Sequence, residues 1–384
     1  MKKTDVIVPA ALQLVADDVG WMIGESRRWT EEPSRTGMPR KHVLEDYIAL
    51  NEIGKLVGMK LNAMFVLGEW DKDNLLRTLP HATKEGENWD ASKYLDIREA
   101  EKIRDYLNDC ENIEIGVHGL LHNVFENGKV VGNQEYSIPE GFMKGGEPHF
   151  ADETYIRSHL DVFFQIYRSW GFRQELRSFV CPGGPSNIGE FDRMAKILPD
   201  YGIHYWANHY WYGDLPEGDC AVFGDVIFNK KRIALAHWAA YDLDPDELGT
   251  YRAEDAGIVG GHWPNFLRFS PRHHLDNLDR WKAYFDRNAA VFGIMLSKDI
   301  AFAHHQQLLR AYSRVEDEGS AVAVELAGAD AIYPAIRKEP VYISVLGAET
   351  PKCEGGEICV WDRQQDFTTY RVERTGGSRL LLHD

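Results

Sequence analysis

Short apolar segments alternate with longer amphipathic ones along most of this chain, and this alternation limits the folds open to it. Ala11–Ala16 and Ile113–Val117 are two of the short segments, and they have the length and composition of buried strands. Val43–Val57 and Thr154–Trp170 carry apolar residues at helical spacing. Repeated strand–helix units predict an α/β fold with a mostly parallel sheet, open or closed into a barrel, and we count about seven or eight strands.

The composition changes after Arg314, where the last long helical segment ends. The remainder contains short alternating runs rich in Val, Ile, Tyr and Thr, such as Val341–Leu346 and Glu357–Asp362. This pattern is typical of small β-rich structures. We therefore predict a large α/β domain over residues 1–314 and a small β-rich C-terminal domain over residues 315–384.

The balance of charge limits the partners that the chain can bind. Its 384 residues include 60 Asp and Glu against 43 Lys and Arg, which gives a formal net charge of −17. Because nucleic acids and anionic membranes attract basic surfaces, we expect neither as a partner. The cysteines are too few and too scattered for a disulfide framework, and no C-x-x-C pair predicts a structural zinc ribbon.

The first residues resemble a short secretory leader, because a basic start (MKK) precedes an apolar stretch. Pro9 and Gln13 interrupt that stretch, and cleavage after Ala16 would remove the first predicted strand. No other run approaches the ~20 apolar residues of a membrane span. We therefore expect a cytoplasmic protein without a membrane segment.

Polar residues follow four of the predicted strands at the point where each strand ends. In α/β sheets and barrels, ligands bind at the carboxyl ends of the strands, so residues far apart in sequence can meet there. The four clusters are Asp17-Asp18, His118-x-x-x-His122, Pro182-Gly183-Gly184 and His262. We expect these clusters to converge on one functional site.

The histidine pair and the aspartate pair suit a metal centre. A spacing of four places His118 and His122 on one face of a helical turn, where both can bind one ion. Adjacent aspartates on an extended backbone point in opposite directions, so one can bind the ion while the other acts as a base. Two histidines and one carboxylate form a catalytic zinc ligand set, and Co²⁺, Ni²⁺ or Mn²⁺ would also fit. The alternative for the same residues is helix capping or a place in a polar core.

These motifs resemble those of the NodB-type polysaccharide deacetylases (carbohydrate esterase family 4), whose fold is a distorted (β/α) barrel. The first family motif has two aspartates after a strand, which are Asp17 and Asp18 here. The second, H-[ST]-x-x-H, matches the segment from His118 to His122, with Gly119 in place of Ser or Thr. The resemblance implies that Asp17 is the general base. It also implies that Asp18, His118 and His122 hold a divalent metal, most readily Zn²⁺, at one end of a barrel of about seven strands.

The third family motif, R-P-P-Y-G or close to it, is matched only in part. The corresponding segment has Val180 in place of the arginine that orients the catalytic aspartate in the family, and it keeps Pro182. Arg177 and Arg268 are candidate substitutes for that arginine. The resemblance implies that the backbone N–H of Gly183 stabilises the oxyanion, a role that needs no side chain.

The last family motif, L-x-H, supplies a histidine that acts as general acid. His237 matches the tripeptide, whereas His262 occupies the expected place before one long helix and a closing strand. We assign the general acid to His262 and expect His237 to contact substrate.

Tryptophans near the motifs predict a carbohydrate subsite, because sugar rings pack against aromatic faces. The predicted substrate-binding residues are Trp21, Pro182, Trp206, Trp211, His237 and Trp263. The alternative for each tryptophan is a packing role in the wall of the barrel mouth.

Three functional hypotheses follow from the sequence. The first is a metal-dependent carbohydrate N-deacetylase. The second keeps the barrel and hydrolyses C–N bonds of small cyclic amides or ureides, as in allantoinase-like relatives of the family, and the replacement by Val180 favours it. The third is a catalytically silent carbohydrate-binding protein. The expected partner is a carbohydrate or small amide, and the C-terminal region is a candidate contact in a homo-oligomer.

Overall fold

The computed structural model describes most of the chain in nine stretches. These are residues 2–24, 36–132, 134–137, 150–183, 191–207, 220–229, 232–237, 240–347 and 350–383. The described strands are, in chain order, β1 (Val6–Ile7), β2 (Ala10–Val19), β3 (Leu61–Val66), β4 (Ile113–Gly119), β5 (Val124–Glu126), β6 (Lys129–Gly132), β7 (Ser178–Phe179), β8 (Tyr205–Ala207), β9 (Cys220–Phe223), β10 (Val226–Asn229), β11 (Arg232–Ala234), β12 (Ile258–His262), β13 (Ile294–Leu296), β14 (Arg314–Asp317), β15 (Ala321–Glu325), β16 (Val341–Leu346), β17 (Lys352–Glu354), β18 (Gly356–Arg363), β19 (Phe367–Arg374) and β20 (Arg379–His383).

Three of the described α-helices begin at an aspartate that accepts terminal backbone N–H groups. The described α-helices are α1 (Leu44–Val57), α2 (Ile97–Asp109), α3 (Glu153–Ser169), α4 (Phe191–Ile197), α5 (Leu278–Ala289), α6 (Ile300–Tyr312) and α7 (Ala327–Ile332). Asp96, Asp152 and Asp299 accept backbone N–H groups at the starts of α2, α3 and α6. Helix α1 ends at Gly58 in the left-handed conformation, which glycine adopts without strain.

The main sheet is mostly parallel, as the alternation of strands and helices predicts. Its order is β11-β12-β2-β3-β4-β7-β8-β10-β9, and every neighbouring pair is parallel except β10 and β9. Strand β13 also pairs with β2, alongside its first three residues, while β12 pairs with the residues that follow. The sheet curls into a half-barrel with helices packed against it, so the predicted α/β fold is confirmed at this level.

The central strands are buried along their whole length. Every residue of β2, β3 and β4 is buried, because helices and loops cover both faces of a parallel sheet. Strand β7 is much shorter and contains only Ser178 and Phe179.

The chain after residue 313 forms two antiparallel sheets, in agreement with the predicted β-rich character. One sheet has the order β14-β15-β20-β17, and the other has the order β1-β16-β19-β18. The second sheet includes β1 from the other end of the chain, where Val6 lies opposite Val345.

Burial raises the pKa of Asp330, but the Ser378 hydroxyl and the Arg374 guanidinium outweigh burial and leave that pKa lowered.

The amino end of the main sheet carries a buried ion pair. Glu114, the second residue of β4, accepts from Arg177 at 2.6 Å and from the backbone N–H of Ile300 at 3.2 Å. Asp299 lies 3.9 Å from the same guanidinium. Burial raises the pKa of Glu114, and the Arg177 guanidinium opposes this shift.

None of the helices in the described stretches combines the length and the apolar character needed to cross a lipid bilayer.

Candidate metal centre

Three side chains from two strand ends meet at the carboxyl end of the main sheet. One potential ligand atom from each of Asp18, His118 and His122 lies within 4.8 Å of the other two, and all three residues are buried. Asp18 Oδ1 is 3.6 Å from His118 Nε2 and 4.0 Å from His122 Nε2. Ligand atoms around one tetrahedral Zn²⁺ are separated by about 3.3 Å, so small side-chain shifts would bring these atoms to bonding distance.

A bulge at the end of β2 places Asp18. The pairing of β2 with β3 shifts register between Ala16 and Val19, and Asp18 has a positive φ of 62°. A non-glycine residue with positive φ is uncommon, and such residues concentrate at functional sites. Gly20 follows with φ 107°, and a Cβ there would lie 2.6 Å from the carbonyl oxygen of Val66. The chain therefore passes too close to β3 for any other residue at this position.

The loop beyond Asp18 is held by a carboxylate from the next strand end. Glu69 is buried, and its Oε2 accepts from the backbone N–H groups of Met22 and Ile23 at 2.6 and 3.0 Å. The indole of Trp70 donates to the carbonyl oxygen of Gly20 at 2.6 Å. The local sequence around Asp18 gives no sign of these contacts.

The turn from His118 to His122 has an unusual backbone. Gly119 has φ 149° and His122 has φ 68°. A Cβ at residue 119 would lie 2.5 Å from Oε2 of the buried Glu135, whose carboxylate occupies the space that a Ser or Thr side chain would need. The glycine that departs from the family motif is therefore explained by Glu135.

The imidazole of His118 is oriented by a backbone acceptor. Its Nδ1 lies 2.8 Å from the carbonyl oxygen of Val180, so in the neutral imidazole Nδ1 carries the proton and Nε2 is the electron-pair donor. This arrangement is the usual one for a histidine that binds a metal, because the second contact fixes both the ring and its tautomer. Val180 thus contributes its backbone at the position where the family has an arginine.

The imidazole of His122 is neutral near pH 7. Burial lowers the pKa of this histidine to about 4, although Asp18 opposes the shift. The backbone N–H of Gly183 donates to its Nε2 at 3.2 Å. Since one nitrogen cannot both accept this bond and bind an ion, ion binding would free the Gly183 N–H for another acceptor.

Asp18 Oδ1 is buried and has no hydrogen-bond partner within the described part of the chain. An acceptor left without a partner in the interior costs on the order of 1–3 kcal/mol. This oxygen faces the Nε2 atoms of His118 and His122. The donor set of one carboxylate and two histidines, with an unsatisfied buried oxygen between them, fits a divalent ion such as Zn²⁺.

Asp17 and His262 lie side by side at the same edge. Strands β12 and β2 pair in a register that places His262 opposite Asp17. The imidazole of His262 is 33% exposed, and its Nε2 is 4.0 Å from Asp18 Oδ2. Asn265 holds this histidine by accepting from its backbone N–H at 2.8 Å, and it donates to the carbonyl oxygen of His237 at 3.1 Å. The structure therefore brings His262 to the centre, with the exposed His237 linked to it through Asn265.

The segment of the third motif borders the same turn. Pro182 is buried, and its Cγ would lie 3.1 Å from a Cβ at residue 119. Gly183 is exposed with φ 70°, and its carbonyl oxygen accepts from the side chain of Gln134 at 3.1 Å. Of the two candidate substitutes for the missing arginine, Arg177 binds Glu114 at the amino end of the sheet and Arg268 pairs with Asp242 at 2.9 Å.

The predicted tryptophan subsite is not seen among the described residues. Trp21, Trp206 and Trp263 are fully buried. Trp206 packs within the core against Phe191 at 4.7 Å between ring centroids, and Trp263 stacks on the buried His42 at 3.9 Å. These rings have no exposed face for a sugar. Trp211 lies outside the described residues.

An aromatic pair that the sequence did not single out is exposed instead. Phe269 is 43% exposed and packs edge-on against Tyr241, with 4.6 Å between ring centroids. The two residues lie on loops that follow β12 and β11, and a backbone hydrogen bond from Asp242 to Leu267 joins these loops. No local pattern distinguishes these rings from other loop aromatics.

Comparisons with known proteins give only distant structural likenesses. No family model matches the chain, and no curated protein matches it. Among solved structures, 4-alpha-glucanotransferase from Thermococcus litoralis is similar over 75% of this chain and 39% of its own length, with 11% identity and a TM-score of 0.37. Endo-glycoceramidase II from Rhodococcus sp., in a cellobiose-like isofagomine complex, is aligned over 98% of this chain and 99% of its own, with 12% identity and a TM-score of 0.20. Neither likeness is close enough to carry an argument about function.

Proposed function

We propose that this chain is a metal-dependent hydrolase that removes N-acetyl groups from an amino sugar or oligosaccharide. Asp18, His118 and His122 would hold the ion, for which Zn²⁺ suits the ligand set best and Co²⁺, Ni²⁺ or Mn²⁺ are alternatives. The observation that carries the proposal is the meeting of these three buried ligand atoms within 4.8 Å at the carboxyl ends of the strands.

The neighbouring residues have the roles that deacetylation requires. When bound, a divalent ion of this kind lowers the pKa of water and polarises a carbonyl group. Asp17, beside the ligand Asp18, would accept the proton of the attacking water as general base. The Gly183 N–H would donate to the oxyanion, and His262 would protonate the departing amine, which is a very poor leaving group without that proton.

We also propose a more specific fold than the curled, mostly parallel sheet described above. It takes residues 1–314 as a distorted (β/α) barrel of about seven strands and residues 315–384 as a small β-rich C-terminal domain. The position of all four sequence motifs at the carboxyl ends of the strands supports this assignment, because barrel enzymes place their sites there.

A second candidate is a C–N hydrolase of small cyclic amides or ureides on the same centre. The burial of Trp21, Trp206 and Trp263 favours it, since a small substrate needs no row of exposed rings. Product analysis on chitooligosaccharides and on ureides distinguishes the two, because each hypothesis predicts turnover of only one substrate class.

The metal centre itself is tested by elemental analysis of purified protein. We expect about one equivalent of metal in the wild type and almost none in His118→Ala, since loss of one of three protein ligands removes most of the affinity. His273→Ala is the matched control, because His273 is exposed and pairs with the exposed Asp276 at 2.7 Å. Equal metal content in the two variants would contradict the proposal.

Asp17→Asn separates catalysis from metal binding and from sugar binding. We expect this variant to retain the ion and to lose most of its turnover, because an amide cannot accept the proton of water. Wild-type protein that binds sugar without any turnover would instead support the catalytically silent carbohydrate-binding protein.

A further inference from the structure

Glu135 belongs to none of the motifs, yet it contacts the turn that joins the two histidines of the metal centre. Its side chain is 0% exposed. Oε2 accepts from the backbone N–H groups of Leu120 at 2.7 Å, Leu121 at 3.2 Å and His122 at 3.1 Å, and Oε1 lies 3.0 Å from the first of these. One carboxylate therefore satisfies the three consecutive N–H groups between the candidate ligands.

The same carboxylate is fixed from its other side by helix α3. His159, which is also fully buried, has its Nδ1 2.9 Å from Glu135 Oε1. The Nε2 of His159 lies 2.8 Å from Nε2 of His81, in a short helical segment before α2. Glu135 is thus also held by a contact from helix α3, outside its own loop.

The neighbouring residue extends this support to the opposite side of the centre. Gln134 donates from its side chain to the carbonyl oxygen of Gly183 at 3.1 Å. Residues 134 and 135 therefore contact both the histidine turn and the loop that carries the candidate oxyanion donor. The 2.5 Å approach of Glu135 Oε2 to the Cβ position of residue 119 also requires glycine there.

We infer that Glu135 is a positioning residue of the metal centre. Its carboxylate maintains the positive φ of His122 and so sets the relative placement of the His118 and His122 imidazoles. Hydrogen bonds from backbone N–H groups to a carboxylate are charge-assisted and stronger than neutral ones. The part of this inference that concerns the ion rests on the proposed function, whereas the part that concerns the turn does not.

Glu135→Gln tests the inference in the full-length protein. The amide keeps the shape of the side chain and one acceptor oxygen, but it places an NH₂ donor against backbone donors. We expect Co²⁺ affinity to fall by about 10- to 100-fold, the usual effect of losing a group that orients a ligand. We also expect the visible absorption bands of the bound Co²⁺ to change, which a general loss of stability would not produce.

Glu126→Gln is the matched control, since Glu126 is exposed on the hairpin strand β5 just after the turn. It should leave both the affinity and the Co²⁺ spectrum unchanged. If Glu135→Gln fails to fold, His159→Phe removes the donor to Glu135, together with the contact to His81, and should give a weaker change in the same direction. Wild-type affinity and spectrum in folded Glu135→Gln would overturn the inference.

Amide hydrogen exchange separates this inference from the proposed function. In Glu135→Gln we expect faster exchange confined to the peptide that covers residues 118–124, with or without metal. A wild-type protein that binds no ion would refute the proposed metal centre, and faster exchange in that peptide alone would still support the role of Glu135 in the turn. Unchanged exchange there, or a uniform increase along the chain, would overturn it.

Discussion

The buried acidic residues at the two ends of the main sheet differ in whether their carboxylates have hydrogen-bond partners. At the amino end, Glu114 is paired with Arg177 and accepts from the backbone of Ile300. At the carboxyl end, Asp18 Oδ1 has no hydrogen-bond partner in the described stretches and faces the imidazoles of His118 and His122. Both ends belong to the same strands, because Glu114 and His118 lie on β4.

The difference indicates which end contributes stability and which end is arranged for binding. Buried polar groups in folded proteins are nearly always satisfied, so an exception calls for a physical reason. Left-handed backbone at Asp18 and His122 adds strain at the same end. A paired, unstrained network is typical of a structural role, whereas an unsatisfied and strained cluster is typical of a site that a ligand completes.

Substitution of Asp18 by Asn should produce the largest effect at the carboxyl end. We expect the variant to lose stoichiometric metal binding, because a neutral amide is a poor ligand for Zn²⁺. The free energy of unfolding without metal should stay the same or rise, since the change replaces a buried carboxylate whose Oδ1 accepts no hydrogen bond in the described part of the chain. Metal analysis and urea denaturation measure the two effects, with exposed Asp73→Asn as control. A large loss of stability would contradict the contrast between the two ends.

Removal of the Trp206 side chain should affect the layer between the two ends. Trp206→Ala leaves a large cavity among Phe179, Phe191 and Phe228, so we expect a loss of about 3–5 kcal/mol in the free energy of unfolding. The half-buried Trp361 provides a control with a smaller loss. A Trp206→Ala variant with unchanged stability and a changed KM would instead indicate that the tryptophan contacts substrate, as its position in the sequence predicts.

At the amino end, Arg177→Ala should reduce stability and leave the metal centre unaffected. The change leaves the Glu114 carboxylate buried without its cation, and we expect a loss of about 2 kcal/mol because Arg177 is 37% exposed. Arg252→Ala removes a highly exposed ion pair with Asp255 and should have little effect in urea denaturation. Equal effects of the two substitutions would show that burial of the pair is unimportant.

The smallest expected effect is a pH dependence of that stability difference. Burial raises the pKa of Glu114, and loss of Arg177 raises it further. At a pH between the ordinary and the raised pKa, the folded protein binds a proton that the unfolded chain does not. The free energy of unfolding therefore increases as pH falls through this range. The difference between wild type and Arg177→Ala should therefore narrow as pH falls from neutral towards the ordinary pKa of a glutamate, which urea denaturation across pH can follow. A stability difference that stays constant across pH would indicate that the loss in Arg177→Ala comes from packing.

The sequence predicts what local patterns encode and misses what depends on distant contacts. Helical spacing defines α1 and α3 closely, and the apolar run before Asp17 marks most of β2. The aspartate and histidine motifs predict residues that the structure brings together, because parallel strands end at one edge. The antiparallel hairpins β5–β6 and β9–β10 lie in segments without a clear alternation of polar and apolar residues, so local patterns do not predict them.

Two further differences between prediction and structure have the same cause. Trp206 sits at a strand end, where its ring can face either a ligand or the core, and only the packing against Phe191 decides. Glu135 is a single acidic residue in a long segment, and its role depends on a turn and a helix that are distant in sequence. Neither the orientation of the Trp206 ring nor the role of Glu135 produces a periodic pattern in the sequence.

The pairing of β2 has a consequence for how this molecule reaches its native state. Two neighbours of β2 in the sheet, β12 and β13, lie more than two hundred residues later in the chain. Contacts of such sequence separation close slowly. The edge of β2 beside Asp17 and Asp18 therefore stays unpaired during synthesis until His262 has emerged, and an unpaired strand edge makes an incompletely folded chain prone to aggregation.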